Sequence, residues 1–99
     1  MINTQAVRPG SRGIIIHDNR LLVIFRQKFD REYYVLPGGG IESKETSVEA
    51  VAREVKEETS IQIKPQELIY ELINDNGEKH DFWLCEYLGG DPSLRGRQY

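Results

Sequence analysis

The chain has 99 residues, enough for one small domain, with a net charge of −3 and a pI near 5.4. That charge gives no general electrostatic case for nucleic-acid binding, and no apolar run approaches the roughly 18–20 residues of a membrane span. No charged-then-apolar leader opens it, and the single cysteine, Cys85, excludes an internal disulfide framework, so the expectation is a cytoplasmic protein.

In chain order, Met1–Arg12 is polar, with Pro9 and Gly10, and reads as a lead or an edge strand. Gly13–His17 carries the β-branched run Ile14–Ile16 and reads as a strand. Asp18-Asn19 is a tight-turn signal, with Leu21–Phe25 as the second strand of that hairpin. Gln27–Glu32 is charged and reads as a loop; Tyr33–Leu36 is a short strand that delivers the chain to Gly38-Gly39-Gly40. A helix follows from about Ser47 to Thr59. Thr46 and Glu49 have the spacing of a capping box, and Val48, Val51, Ala52 and Val55 fall on one apolar face. Beyond it Ile61 and Ile63 alternate with polar residues, Pro65 breaks the run, and Glu67–Ile73 resumes as a strand with Leu68, Tyr70 and Leu72 on one face. Asn74–Gly77 is a turn, Asn76-Gly77 being a strong hairpin signal, and Lys79–Leu88 is the partner strand. Within it Cys85 sits among apolar neighbours and reads as a buried, inert thiol, and Trp83 as core. Gly89–Pro92 is a loop, and Ser93–Tyr99 shows no apolar period. The elements add up to a mixed β-sheet with one principal helix.

The helix carries an unusual load. Glu54, Glu57 and Glu58 recur at i, i+3 and i+4, on a face expected to turn away from the valines. Like charges at these spacings destabilise a helix, the more so at its negative C-terminal end. The stripe is either a solvated acidic face or a site for a hard divalent cation, which would reverse the sign of the repulsion. On the pattern alone, Glu58→Gln is expected to leave folding intact or to stabilise it slightly.

The spacing around the stripe is more specific. Gly39 is followed six residues later by Glu45, then after eight more by Arg53-Glu54-Val55, then by Glu57-Glu58 and Ile61. This resembles the Nudix box, with Ser60 where the family has glycine, and Leu36-Pro37-Gly38 resembles the lead-in. The resemblance implies an α/β/α sandwich whose last strand and closing helix lie beyond this chain. It implies Mg²⁺-dependent attack of water on a pyrophosphate that joins a nucleoside diphosphate to another group, with Mn²⁺ as an alternative ion. It implies that Glu54, Glu57 and Glu58, with the Gly38 carbonyl, hold the metal, and that Glu54 or Glu57 takes the water proton. Arg53 would steady the carboxylates, Glu45 would tether loop to helix, and Gly39 would serve the loop. The substrate is expected to be a nucleotide-type small molecule.

Substrate contacts are read more loosely. Residues 1–35 hold six bases (Arg8, Arg12, Arg20, Arg26, Lys28, Arg31) against three acids (Asp18, Asp30, Glu32). Arg26 and Lys28 are candidates for phosphate and Tyr33 and Tyr34 for stacking on a base, against surface charge and, for at least one tyrosine, core packing as the plainer readings. His17 and His80 show no metal-ligand spacing. Two other readings stand beside the enzyme: a nucleotide-binding module that does not cleave, and a fragment whose open sheet edge pairs with a second copy of the chain.

Overall fold

A computed structural model describes residues 8–91. The strands are β1 (Gly10–His17), β2 (Arg20–Leu21), β3 (Ile24–Lys28), β4 (Arg31–Val35), β5 (Gly38–Gly40), β6 (Gln62–Ile73) and β7 (Lys79–Gly89), and the helix α1 is Ser47–Thr59. The main sheet runs β2-β1-β7-β6, with β5 also paired to β1; β1 and β7 are parallel and the other pairs antiparallel. This is the mixed α/β arrangement expected, with α1 as the helix of the described residues.

The helix begins where the capping box places it. Glu49 N donates to Thr46 Oγ1 at 3.1 Å and Thr46 N to Glu49 Oε1 at 2.9 Å, which satisfies two N–H groups that helix geometry leaves over. It ends at Ser60, in the left-handed conformation at φ 66° and ψ 9°. Val51 and Val55 are fully buried and form the core with Ile15, Ile61, Ile63 and Cys85. Burying a side chain of this size contributes about 1.5–3 kcal/mol, so these contacts set how α1 lies on the sheet. Burial also pushes the Cys85 thiol up to about 11, as suits an inert core residue.

The helix is rotated from its expected face. Val48 is 40% exposed, whereas Ala50 and Glu58 are buried. Glu58 lies three residues after Val55 and seven after Val51, so helical geometry puts it beside the core rather than opposite it. Among the described residues nothing covers the other face of the sheet, and Ile16, Tyr70 and Leu88 stay exposed there.

The hairpins differ from expectation in two places. β2 ends at Leu21, and Ile24–Lys28 pairs with β4 instead of β1. The segment expected as a loop, Gln27–Glu32, runs as strand through a two-residue turn at Phe29-Asp30, where both residues have positive φ (53° and 62°). Its charged side chains stand on a solvated two-stranded ribbon, which needs no apolar alternation. β6 is continuous across Pro65 because it is an edge strand, where a missing N–H is tolerated. Its ladder slips at Gln66 and again at Ile69, so Leu68 pairs with Trp83 on the helix side while Tyr70 and Leu72 pair with Phe82 and His80 on the other. The expected shared face of Leu68, Tyr70 and Leu72 is therefore split. Readings that fall on residues 1–7 and 92–99 lie outside the described residues.

Candidate active site

The site forms where β5 runs along β1 and the C-terminal half of α1 passes over it. Gly38 has φ 149°, and a Cβ there would run into the Ser11 carbonyl, so the backbone comes closer than a side chain permits. At Gly39 a Cβ would stand 2.6 Å from the carboxyl carbon of Glu54. The two glycines thus let a carboxylate of the helix lie directly on the loop. Arg12 ties the lead-in down, its Nη1 donating to the Leu36 carbonyl at 2.7 Å.

Arg53 is the hub. Its guanidinium takes Glu45 in a fork, Nε to Oε2 at 2.7 Å and Nη2 to Oε1 at 3.0 Å, and donates to the Gly40 carbonyl at 3.1 Å. Nη1 reaches Glu54 at 3.0 Å and Glu57 at 3.2 Å. Paired planar donors match a carboxylate in both distance and direction, which a lysine would not reproduce. The hydrogen bond from Arg53 is the main cause that brings the Glu45 carboxyl down to about 2, and the same contact raises Arg53 further above its ordinary value. Glu45 also accepts from Glu42 N at 3.0 Å, which closes the loop ahead of the helix.

Glu58 turns the other way. It is 6% exposed; its Oε1 accepts from Gly38 N at 3.0 Å, and its Oε2 is 3.5 Å from Arg26 Nη2. A buried carboxylate is tolerated when it is paired and hydrogen-bonded, as here. It is a structural tie between helix, loop and β3, so the expectation that Glu58→Gln would stabilise the protein does not survive. Glu54 is also largely covered, and Glu57 is the most open of the three, its side chain 48% exposed.

Among the described residues no three Asp, Glu, His or Cys side chains converge on one point ready for an ion. The donor chemistry nevertheless suits a hard divalent cation: three carboxylates within little more than one helical turn, beside the glycine backbone. At present these carboxylates face Arg53, Arg26 and the Gly38 N–H.

The remaining candidates are divided by the β3–β4 ribbon. Arg26 and Lys28 stand on one face with their ladder partners Tyr33 and Arg31, whereas Tyr34 pairs with Phe25 on the opposite face, 68% exposed, the two rings 5.4 Å apart. Tyr33 therefore shares a face with Arg26 and Tyr34 does not. Of two adjacent tyrosines on a strand one must point each way, and only the register shows which. Sequence reasoning also missed Arg12, whose role is a backbone contact with no spacing signature. The histidines are local: His17 stacks on Tyr87 at 3.9 Å and His80 bonds Glu78 at 2.8 Å.

Comparison with known proteins gives a consistent picture. The NUDIX domain family model matches residues 7–95. An ADP-ribose pyrophosphatase of Methanocaldococcus jannaschii is 45% identical over 58 residues, covering 58% of this chain and 34% of that protein. An RNA pyrophosphohydrolase of Orientia tsutsugamushi is 30% identical over 100 residues, covering 83% of this chain and 62% of that protein. The chain thus spans less than two thirds of either relative. The crystal structure of an ADP-ribose pyrophosphatase from Streptococcus suis superposes with a TM-score of 0.76 at 25% identity, covering 93% of this chain and 69% of that one.

Proposed function

Because this chain belongs to the NUDIX domain family, we propose that it hydrolyses the pyrophosphate bond of a nucleoside diphosphate linked to another group, with a divalent cation, Mg²⁺ or Mn²⁺, as cofactor. The observation that carries the reading is the arrangement of Gly38–Gly40 against Glu54, Glu57 and Glu58, with Arg53 joining loop to helix. Structural ties alone account for Glu58 but not for Glu57, whose half-exposed carboxylate sits at the unfavourable end of the helix dipole, and this favours catalysis over a pure binding module.

Glu54, Glu57 and Glu58, with the Gly38 carbonyl, would hold the ion. Bound there, it would supply charge neutralisation on the phosphate oxygens and acidify a water. The rest is the chain's own work. Glu57, the most open of the three carboxylates, or Glu54 beside the loop accepts the proton of the attacking water. The water oxygen bonds to phosphorus as the bridging P–O bond breaks, and two phosphate products leave. Arg53 holds the two acids at fixed distance from the loop, which limits the reorganisation needed during reaction. Arg26, next to Glu58, would donate to a phosphate oxygen.

The test is a panel of ADP-ribose, a nucleoside triphosphate and 5′-triphosphorylated RNA, with and without Mg²⁺. Turnover of at least one, dependent on the metal and lost in Glu54→Gln, is expected. No turnover of any by this chain or by a longer form of it overturns the proposal.

A further inference from the structure

Acids and bases are segregated on the β3–β4 ribbon. Three cations, Arg26, Lys28 and Arg31, share the face that touches Glu58, and Glu32 pairs with Gln27 on the other. Asp30 stands in the turn itself, so within the two strands this face carries bases only, in a chain with 16 acids against 13 bases. Arg26 begins the strip at the carboxylate site. Lys28 and Arg31 face each other one repeat further along, about 7 Å away on a strand.

Among the described residues no carboxylate pairs with Lys28 or Arg31. Instead Lys28 Nζ lies 5.3 Å from the centre of the Phe29 ring, and the Arg31 guanidinium 5.9 Å from that of Tyr33. An aromatic face holds a cation in place while leaving its N–H donors for an anion. Two clefts adjoin here, one of about 290 Å³ along Arg26, Lys28 and Tyr33 and one of about 260 Å³ along Lys28, Phe29, Arg31 and Tyr33. At the tip Phe29 is 85% exposed, in the positive-φ conformation that the two-residue turn requires of both its central residues.

Resting on the proposed hydrolysis, we infer that Lys28 and Arg31 bind a phosphate beyond the scissile pyrophosphate, and that the chain prefers substrates with a third phosphate over those, such as ADP-ribose, whose distal group is an uncharged sugar. The third phosphate comes either from a triphosphate chain or from the first phosphodiester of an oligonucleotide.

Calorimetry with inorganic pyrophosphate and inorganic tripolyphosphate tests the strip without requiring turnover. Wild type should bind tripolyphosphate about tenfold more tightly, the size of one charge-assisted contact. The gap should close in the Lys28→Gln/Arg31→Gln double variant and in high salt, and persist in Lys28→Arg/Arg31→Lys. Equal affinities in wild type, or a gap the double variant keeps, overturns the inference. In turnover assays the double variant should lower the kcat/KM ratio of substrate over ADP-ribose. A loss for both a nucleoside triphosphate and 5′-triphosphorylated RNA assigns the triphosphate chain, a loss for RNA alone the phosphodiester, and no loss for either overturns the inference. Absence of all hydrolysis with the tripolyphosphate preference intact would instead remove the catalytic proposal and leave the anion site.

Discussion

The two sides of the candidate site are built on opposite plans. On α1 and β5 the charged groups of the site are tied: Arg53 to Glu45, Glu54, Glu57 and the Gly40 carbonyl, and Glu58 to Gly38 N–H and Arg26. On the β3–β4 ribbon Lys28 and Arg31 rest on aromatic rings and face open clefts. The tied side has its geometry set before anything binds, which is what chemistry at a defined atom needs. The open side can accommodate ligands of different length, which suits recognition. Substitutions on the first should change turnover and stability together; those on the second should change selectivity and leave stability nearly alone.

The largest effect belongs to Glu58. Glu58→Gln keeps the size but removes the charge, and turnover should fall on the order of 10³-fold, as for loss of an electrostatic contribution of several kcal/mol at the transition state. The metal-free protein should also melt lower, since a buried charge-assisted tie is weakened. A normal melting temperature would mean that the contacts to Gly38 and Arg26 contribute nothing.

Arg53→Lys comes next. One ammonium cannot reproduce the fork to Glu45 and still reach Gly40, Glu54 and Glu57, so kcat should drop about 10²-fold through misplaced carboxylates. Steady-state kinetics should show the loss in kcat rather than KM.

The tied side also makes a pH prediction. The Glu45 carboxyl is held at about 2, below its ordinary 4.5, chiefly by Arg53. A lowered carboxyl contributes stability that is present above pH 4.5 and lost as pH falls toward 2. Melting temperature should decline across that window in wild type and decline less in Glu45→Gln. Identical acid profiles would break the link between this ion pair and folding.

The smallest effect is at the helix exit. Ser60 takes the left-handed conformation that glycine adopts without strain, so Ser60→Gly should gain about 1 kcal/mol without changing kcat. A loss of stability would show that the serine side chain has a role the backbone does not reveal.

What could be read from the sequence follows from how local each signal is. The helix was legible to the residue because Thr46 and Glu49 carry its start and the valine period its length. The candidate site is legible only as a set of neighbouring positions, because the motif lies within one loop and one helix. The orientation of that helix was not: Val48 and Ala50 are both small and apolar, and only the sheet decides that Ala50 is covered and Val48 exposed. That rotation brings Glu58 inward. The tip of the β3–β4 ribbon, Gln27–Glu32, reads as a loop because Phe29-Asp30 lacks the Asn-Gly signature of its turn and the flanking residues carry charge on both faces. The double slip of β6 at Gln66 and Ile69 has no sequence mark beyond Pro65.

The central claim is that the carboxylates now tied to arginines and to the loop are the metal site. Thermal melts of wild type and Glu58→Gln across a Mg²⁺ titration test it most directly. Binding to the folded state alone raises stability by mass action, about 2.7 kcal/mol at a hundredfold excess over the dissociation constant. Wild type should therefore melt progressively higher with Mg²⁺, and Glu58→Gln should shift much less at the same concentrations. Equal shifts in the two proteins, or none in wild type, would contradict the account.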